Sequence, residues 1–316
     1  MSLIKKLLRR TERKHSKKKL IKWLQKERLL ARTLKCPRCG KKMHFKKKTS
    51  IKDGYTWICR RNHHRQNTVR SIRHGSIFSR SHVPLVSYMK HIHRFAQGLR
   101  LRQVDMVEEG LCGSSATITK LTQKLKGVCV NAIRKMKRQK KMQIGGGRAY
   151  VVLDESKFCH KRKYARGRFG NTWRRKAWVF GMMEIKRNRR RPLLKVVKRR
   201  TAAKLIPVIQ KYVRCGTTVI SDEWPAYKQL GQHGYIHYQV NHKRFFVHPQ
   251  TGAHTQHIER AWRTFKNEVY RYRGNLTKKS LKDQLAFIEW NYWRGKSHPR
   301  GVLGCLFEDI GLKYQV

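Results

Sequence analysis

The sequence predicts a mixed α/β chain in which a small cysteine- and histidine-rich ribbon and a helical region precede a larger domain of strands and helices. Three observations lead there. Cys36-Pro-Arg-Cys39-Gly40 breaks into a Leu-Lys pattern. A Leu99–Val107 stretch meets a glycine turn at Gly110 and Gly113 and then a Ser-opened helical run. After Gly145-Gly146-Gly147, short apolar runs give way to long amphipathic stretches.

The elements follow in order. Residues 1–34 form a basic N-terminal arm with Leu7, Leu20, Ile21, Leu24 and Leu29 at helical spacing. It reads as a solvated arm, or equally as a nonspecific DNA contact or nuclear address. Residues 35–82 are a ribbon with β-like pieces at Tyr55–Arg60, Thr68–Arg73 and Ser76–Arg80. Residues 83–144 are helical. Ser114, Ser115 and Thr117 open a helix whose Ile118, Leu121, Leu125 and Val128 share a face, which is the outline of a helix-turn-helix; an ordinary helical hairpin is the alternative. The glycine triplet reads as a hinge-like linker into residues 145–316. There the pattern gives strands at 149–153, 177–183, 193–198, 217–220 and 235–240, and helices at 201–213, 254–272 and 278–293.

Composition narrows the function. The 316 residues carry 77 Lys and Arg against 17 Asp and Glu, a formal charge of +60. Eight Trp, 12 Tyr and 11 Phe are too many for a disordered tail, so this is a folded, self-repelling chain that needs a polyanionic partner. Nucleic acid is that partner, because the charge is spread along the whole chain rather than confined to one amphipathic, membrane-surface segment. No apolar run approaches the ~18 residues of a membrane span, and the N-terminus lacks a secretory pattern. The expected compartment is the nucleus in a eukaryote and the cytoplasm or nucleoid otherwise. Cysteines without a secretory signal point to metal ligands or free thiols rather than disulfides.

Cys36 and Cys39, two residues apart with Gly40 behind them, have the spacing of a zinc knuckle. Cys59 with His63 or His64 completes a closed, structural site; His64 is the expected fourth ligand, and His63 is the alternative. Cys112, Cys129, Cys159, Cys215 and Cys305 stand singly and read as packing residues.

Acids are scarce, so their placement carries information. Asp154 ends the apolar run Val151-Val152-Leu153, and Asp222 ends Thr218-Val219-Ile220-Ser221. Two carboxylates brought together at strand ends repel unless a proton or divalent cation intervenes, and the cation suited to oxygen ligands is Mg²⁺ or Mn²⁺. Glu155 is the alternative to Asp154, but strand alternation points it to the opposite face. Glu259 lies beside a core stripe of Ile258, Trp262, Phe265 and Val269, with Arg263 and Lys266 on its own face. An ordinary surface pair with Arg263 is its alternative. Two strand-end aspartates and one helical glutamate match the RNase H-like plan, in which three carboxylates hold two metal ions for in-line phosphoryl displacement.

A longer ordered set then becomes apparent: Asp154-Glu-Ser-Lys-Phe158, Lys163-Tyr-Ala-Arg-Gly167, Trp178-Val-Phe-Gly181, Arg200-Thr-Ala, Gly216 through Asp222-Glu-Trp-Pro-Ala-Tyr227, Val240-Asn-His242, Phe246 through Gln256, and Ile258-Glu259-Arg-Ala-Trp262. In this order they resemble the Merlin-type DDE transposases and their bacterial insertion-sequence relatives with an ISXO2-like catalytic domain, over roughly residues 35–295. The resemblance implies an RNase H-like catalytic domain with Asp154, Asp222 and Glu259 in the three acid positions, two divalent metals, and cut-and-paste DNA transposition. The ribbon departs from the family pattern, with Cys59-x₄-His64 in place of a second cysteine pair.

The expected function is a transposase that binds terminal inverted repeats, cleaves, and joins a 3′-hydroxyl to target DNA, working as a homo-oligomer on double-stranded DNA. The alternatives are a transposase-derived DNA-binding protein and an RNase H-like nuclease. Lys120 and Lys124 on the second helix, and Arg263 and Lys266 beside Glu259, are the DNA-contact candidates, with Arg166, Arg168 and Arg174 behind them. His242 and His254 flank the acids in either structural or functional roles, and Trp224 reads as packing rather than base stacking.

Overall fold

The computed structural model describes residues 3, 5–7, 17–60, 67–98, 114–158, 178–187, 189–241, 254–271 and 277–316. It divides into two compact units, residues 1–132 with 294–316, and residues 133–293.

In the first unit a three-stranded antiparallel ribbon, β1 (His44–Lys47), β2 (Tyr55–Cys59) and β3 (Thr68–Ser71), is ordered 1-2-3. Register pairs Phe45 with Trp57 across β1 and β2, and Phe45 also stacks flat on Tyr55 at 4.9 Å. Such cross-strand aromatic contacts stabilise a sheet too small to have a core of its own. Ser76–Arg80, expected as a strand, is instead a run of turns. The Ser76 and Ser79 hydroxyls both donate to the Arg73 carbonyl, and Arg73 makes a bidentate pair with Asp53 at 2.6 Å. Side-chain bonds of this kind offer the backbone a turn in place of a ladder.

The basic arm is not wholly solvated. Lys17–Lys26 forms helix α1, which buries Leu20, Ile21, Trp23 and Leu24 on one face. Helix α2 (Leu85–Ala96) follows the ribbon, and helix α3 (Ser115–Arg138) opens with the Ser114 hydroxyl accepting from the Thr117 amide, as the Ser-rich start predicts. The Leu99 stretch, the glycine turn at 110–113 and Cys112 lie outside the described residues, so the helix-turn-helix outline is seen only in its second helix. A helix the sequence pattern did not signal, α7 (Gly301–Tyr314), belongs to this unit. Its Phe307 packs edge-on to Trp23, Arg300 pairs with Glu27, and Gly311 faces the Arg28 backbone. The sequence division placed these residues in the 145–316 domain. The tail joins the first unit because its apolar side chains meet those of α1.

The second unit is built on a five-stranded sheet. Its strands are β4 (Tyr150–Lys157), β5 (Trp178–Lys186), β6 (Arg189–Val197), β7 (Thr218–Asp222) and β8 (Ile236–Val240). The spatial order is 6-5-4-7-8, with β4 to β6 an antiparallel meander and β7 and β8 parallel to β4. This is the RNase H-like arrangement. Helix α4 (Ala202–Tyr212) makes the crossover from β6 to β7, and α5 (Gln256–Arg271) and α6 (Lys278–Trp290) follow the last strand. Val152, Val179, Met183, Ile220 and Val240 from one sheet face join Ile258, Trp262, Phe265 and Val269 of α5 and Leu281, Leu285 and Ile288 of α6 in one core. The central strand is apolar on both faces, as a sheet covered on both sides requires.

The glycine triplet is no hinge. The Gly145 amide donates to the buried Glu184 carboxylate at 3.0 Å, the Gly146 amide to Thr217 Oγ1 at 2.9 Å, and Arg214 to the Gly145 carbonyl at 2.9 Å. Gly145 adopts φ +85°, and a Cβ there would lie 2.2 Å from Thr217 Oγ1. Glycine is needed to thread the backbone against Thr217, not to loosen it. Gly145→Ala is expected to lower unfolding stability by about 2–4 kcal/mol, read as a reduced urea midpoint with an unchanged slope.

Candidate active site

Asp154 and Asp222 lie side by side because β4 and β7 are parallel neighbours. The ladder pairs Tyr150 with Thr218 and Val152 with Ile220, an offset of 68, and the same offset takes 154 to 222. Even positions from 150 and 218 share a sheet face, so both carboxylates leave the sheet on the side covered by α5. Glu259 stands in the first turn of α5, which packs on β4 and β5. Thr255, buried just before the helix, donates its hydroxyl to Glu259 Oε1 at 2.7 Å.

The approach of α5 depends on Gly181, the β5 residue opposite Asp154. A Cβ at 181 would stand 2.6 Å from the Trp262 ring and 3.2 Å from Ile258 Cδ1. Without one, the indole lies on the strand and its Nε1–H donates to Asp154 Oδ2 at 2.8 Å. The Glu155 amide donates to Asp154 Oδ1 at 2.7 Å, and the Trp224 amide to Asp222 Oδ1 at 3.2 Å. The donors on Asp154 are thus neutral. Burial pushes its carboxyl up to about 6 and the charges of Asp222 and Glu259 push the same way, against the lowering effect of the Trp262 and Glu155 N–H groups.

Asp222 at the end of β7, Asp154 in the C-terminal half of β4 and Glu259 on α5 therefore come to one side of the sheet, and the charges of the other two raise Asp154 further, while their oxygens are not gathered as tightly as the ribbon's sulfurs. Among the described residues, three ligand atoms all within 4.8 Å of one another occur only at Cys36, Cys39 and Cys59. Two half-buried aspartates with neutral partners and an exposed glutamate on the neighbouring helix fit hard divalent cations, whose charge would offset the repulsion.

Glu155 occupies the opposite face. It accepts a short hydrogen bond from the Tyr227 hydroxyl and pairs with Arg200 at 3.5 Å; burial pushes its carboxyl up to about 7. Arg200 lies between the rings of Trp178 at 3.9 Å and Trp224 at 4.2 Å, so Trp224 is a packing residue. Sequence reasoning missed Trp262 as a donor, Gly181 as the opening that admits it, and the Arg200 group. The Asp-Glu tandem at 154–155 was the available signal that both sheet faces matter.

The other candidates are dispersed. Arg263 is exposed, and Lys266 is half-buried with its ammonium 5.9 Å from the Phe158 ring centre. Lys120 is exposed on α3. Lys124, expected to touch phosphate, donates instead to the Ile77 and Ser79 carbonyls at 3.4 and 3.0 Å, because the turns after β3 leave those groups without ladder partners. The His254 ring lies tilted by 53° against that of His257, with centroids 4.8 Å apart. His63, His64, Cys159, Arg166, Arg168, Arg174 and His242 lie outside the described residues.

In the ribbon, the Gly40 amide donates to the Cys36 carbonyl at 2.8 Å, closing the knuckle, and the Cys39 and Cys59 sulfurs are 3.7 Å apart. Burial raises the Cys36 thiol, but the backbone N–H groups of Cys39 and Arg38 outweigh it and the net shift is downward; burial and the two neighbouring sulfurs push Cys59 up. Crowded sulfurs with a preformed thiolate fit a soft tetrahedral cation such as Zn²⁺.

Asp154 gives a pH test. Its folded pKa lies above the ordinary carboxylate value, so the metal-free fold loses stability as pH rises from about 4 through 6. Asp154→Asn removes that loss. Relative to the parent chain, the variant should gain about 1–3 kcal/mol between pH 4 and 8 in metal-free denaturation, and it should no longer be stabilised by added Mg²⁺.

The chain was compared with known proteins. Residues 143–292, just under half of the chain, match the family model described as "ISXO2-like transposase domain". No curated protein matches. Among solved structures, the catalytic core domain of BIV integrase aligns with 48% of this chain and 87% of its own, at 18% identity and a TM-score of 0.31. The RNase H-like assignment rests on the strand order. With that order, and a family match that brackets Asp154, Asp222 and Glu259, residues 143–292 are an ISXO2-like transposase domain, a DDE enzyme domain of insertion-sequence type and of the polynucleotidyl-transferase class.

Proposed function

We propose that this transposase binds the terminal inverted repeats of its element and carries out metal-dependent strand cleavage followed by 3′-hydroxyl strand transfer. The observation that supports this best is the trio Asp154, Asp222 and Glu259 on one side of the sheet, with Asp154 raised by burial and further by the other two charges. These residues would hold Mg²⁺ or Mn²⁺. When bound, such a pair of ions supplies activation of the attacking oxygen and stabilisation of the leaving oxygen. Trp262 and the Glu155 and Trp224 amides keep Asp154 and Asp222 oriented before any cation arrives. Thr255 does the same for Glu259. Arg263 and Lys266 would hold the scissile strand, and Lys120 contacts phosphate from the second helix.

Cys36, Cys39 and Cys59 would hold Zn²⁺, with His64 or His63 as fourth ligand. The charge of +60 supplies the electrostatic part of DNA binding. Two element ends must be joined, so the active species is a homo-oligomer on DNA, in the nucleus of a eukaryote or otherwise in the cytoplasm or nucleoid.

Three results check this reading. Asp154→Ala, Asp222→Ala and Glu259→Ala should each reduce Mg²⁺-dependent cleavage of a labelled element end by at least about 10³-fold while leaving end binding intact. Retained cleavage in Asp154→Ala would sink the enzymatic assignment of this trio. Affinity for duplex DNA should fall by about 10³-fold or more between 50 and 200 mM salt, read by fluorescence anisotropy. Cys36→Ser should abolish tightly bound zinc measured by plasma emission and lower the melting temperature of the full chain.

A further inference from the structure

Two hydrogen bonds that orient the acidic pair come from backbone N–H groups, and the side chains of the two residues supplying them meet on the far side of the sheet. Glu155 donates its amide to Asp154 and Trp224 donates its amide to Asp222. The Glu155 carboxylate, 2% exposed, pairs with Arg200 at 3.5 Å. The Trp224 ring covers one face of the Arg200 guanidinium at 4.2 Å, and its Nε1–H donates to the Arg200 carbonyl at 2.9 Å. Trp178, the first residue of β5, covers the other face at 3.9 Å, and the Tyr227 hydroxyl donates to the same Glu155. Arg200 itself lies in the short connection between β6 and α4. One guanidinium thus ties the C-terminal half of β4, the start of β5 and the turn after β7.

From this geometry we propose that Arg200 is a positioning residue for the metal-binding acids: by holding Glu155 and Trp224, it fixes the two amides that orient Asp154 and Asp222. It touches neither DNA nor the reacting atoms. The planar guanidinium suits the slot because it stacks between two indoles while pairing with a carboxylate edge-on; an ammonium carries the charge but cannot stack in the same way. Losing it leaves the Glu155 charge buried beside Tyr227 alone, and the strand end must shift to relieve that. The inference rests on the reading of Asp154, Asp222 and Glu259 as cation ligands.

The test compares the full-length parent chain with Arg200→Lys, Arg200→Gln, Trp224→Phe and Asp154→Ala. Mn²⁺ binding to the DNA-free protein is followed by electron paramagnetic resonance, and cleavage of an element end is followed as a function of Mn²⁺ concentration. Arg200→Lys and Arg200→Gln should weaken Mn²⁺ binding by about 10-fold or more and raise the half-saturating Mn²⁺ for cleavage in parallel, with saturating metal restoring most activity and DNA affinity unchanged. Trp224→Phe, which keeps a ring on the guanidinium but removes the indole N–H, should show the same shift at smaller size and serves if the arginine variants do not fold. Parental Mn²⁺ affinity in every folded variant, or activity reduced by one factor at all Mn²⁺ concentrations, would overturn the role of Arg200. If Asp154→Ala instead binds Mn²⁺ like the parent, the ligand assignment fails first, a different outcome from parental binding in the arginine variants alone.

Discussion

The Trp262 indole reaches Asp154 only because residue 181, across the ladder on β5, has no side chain. That absence sets the distance between helix α5 and the sheet, and with it the place of Glu259 on the helix's first turn. A methyl group at 181 would meet aromatic carbon at 2.6 Å, so the buried ring would have to shift within a close-packed core. The same close packing that seats Trp262, Phe265 and Val269 in the core thus aligns the acid that the helix presents.

Electrostatics gives the arrangement its meaning. In a chain so rich in cations, the other buried acids are neutralised locally. Asp53 pairs with Arg73, Glu289 with Lys137, Glu184 with Arg189, and Asp309 with Arg294. Each ties together elements far apart in sequence or closes a turn. Asp154 is treated differently: it receives N–H groups without a formal charge, and the nearest charges with a marked effect on it are negative. Among the described residues no cation bonds to this carboxylate, which fits a place for a mobile one.

Much of this was legible from spacing. The apolar runs ending at Asp154 and Asp222 gave both strands, and the Ile258-Trp262-Phe265-Val269 stripe gave α5 with its register. What escaped was long-range. No periodicity announces that Arg200 will lie between Trp178 and Trp224, because one comes from the start of β5 and the other two from separate connections. Gly145-Gly146-Gly147 looked like a flexible joint because glycine serves both freedom and close approach, and only the contact with Thr217 decides between them. Lys124 looked like a phosphate ligand because its partners are carbonyls in turns that the Ser76–Arg80 sequence had suggested would be a strand. Helix α7 escaped because its pattern is apolar nearly all round, without the polar face that marks an amphipathic helix.

The packing of Phe307 on Trp23 makes the first unit discontinuous along the polymer. Its N-terminal helix acquires its aromatic partner only from residues synthesised after the whole sheet domain. On a ribosome, the catalytic half can therefore mature while its neighbour still lacks a wall, and loss of a C-terminal segment is a lesion in the N-terminal half. Fusions and nonsense mutations near position 300 act on the unit that carries the cysteine ribbon, although the gene map places them beyond the active domain.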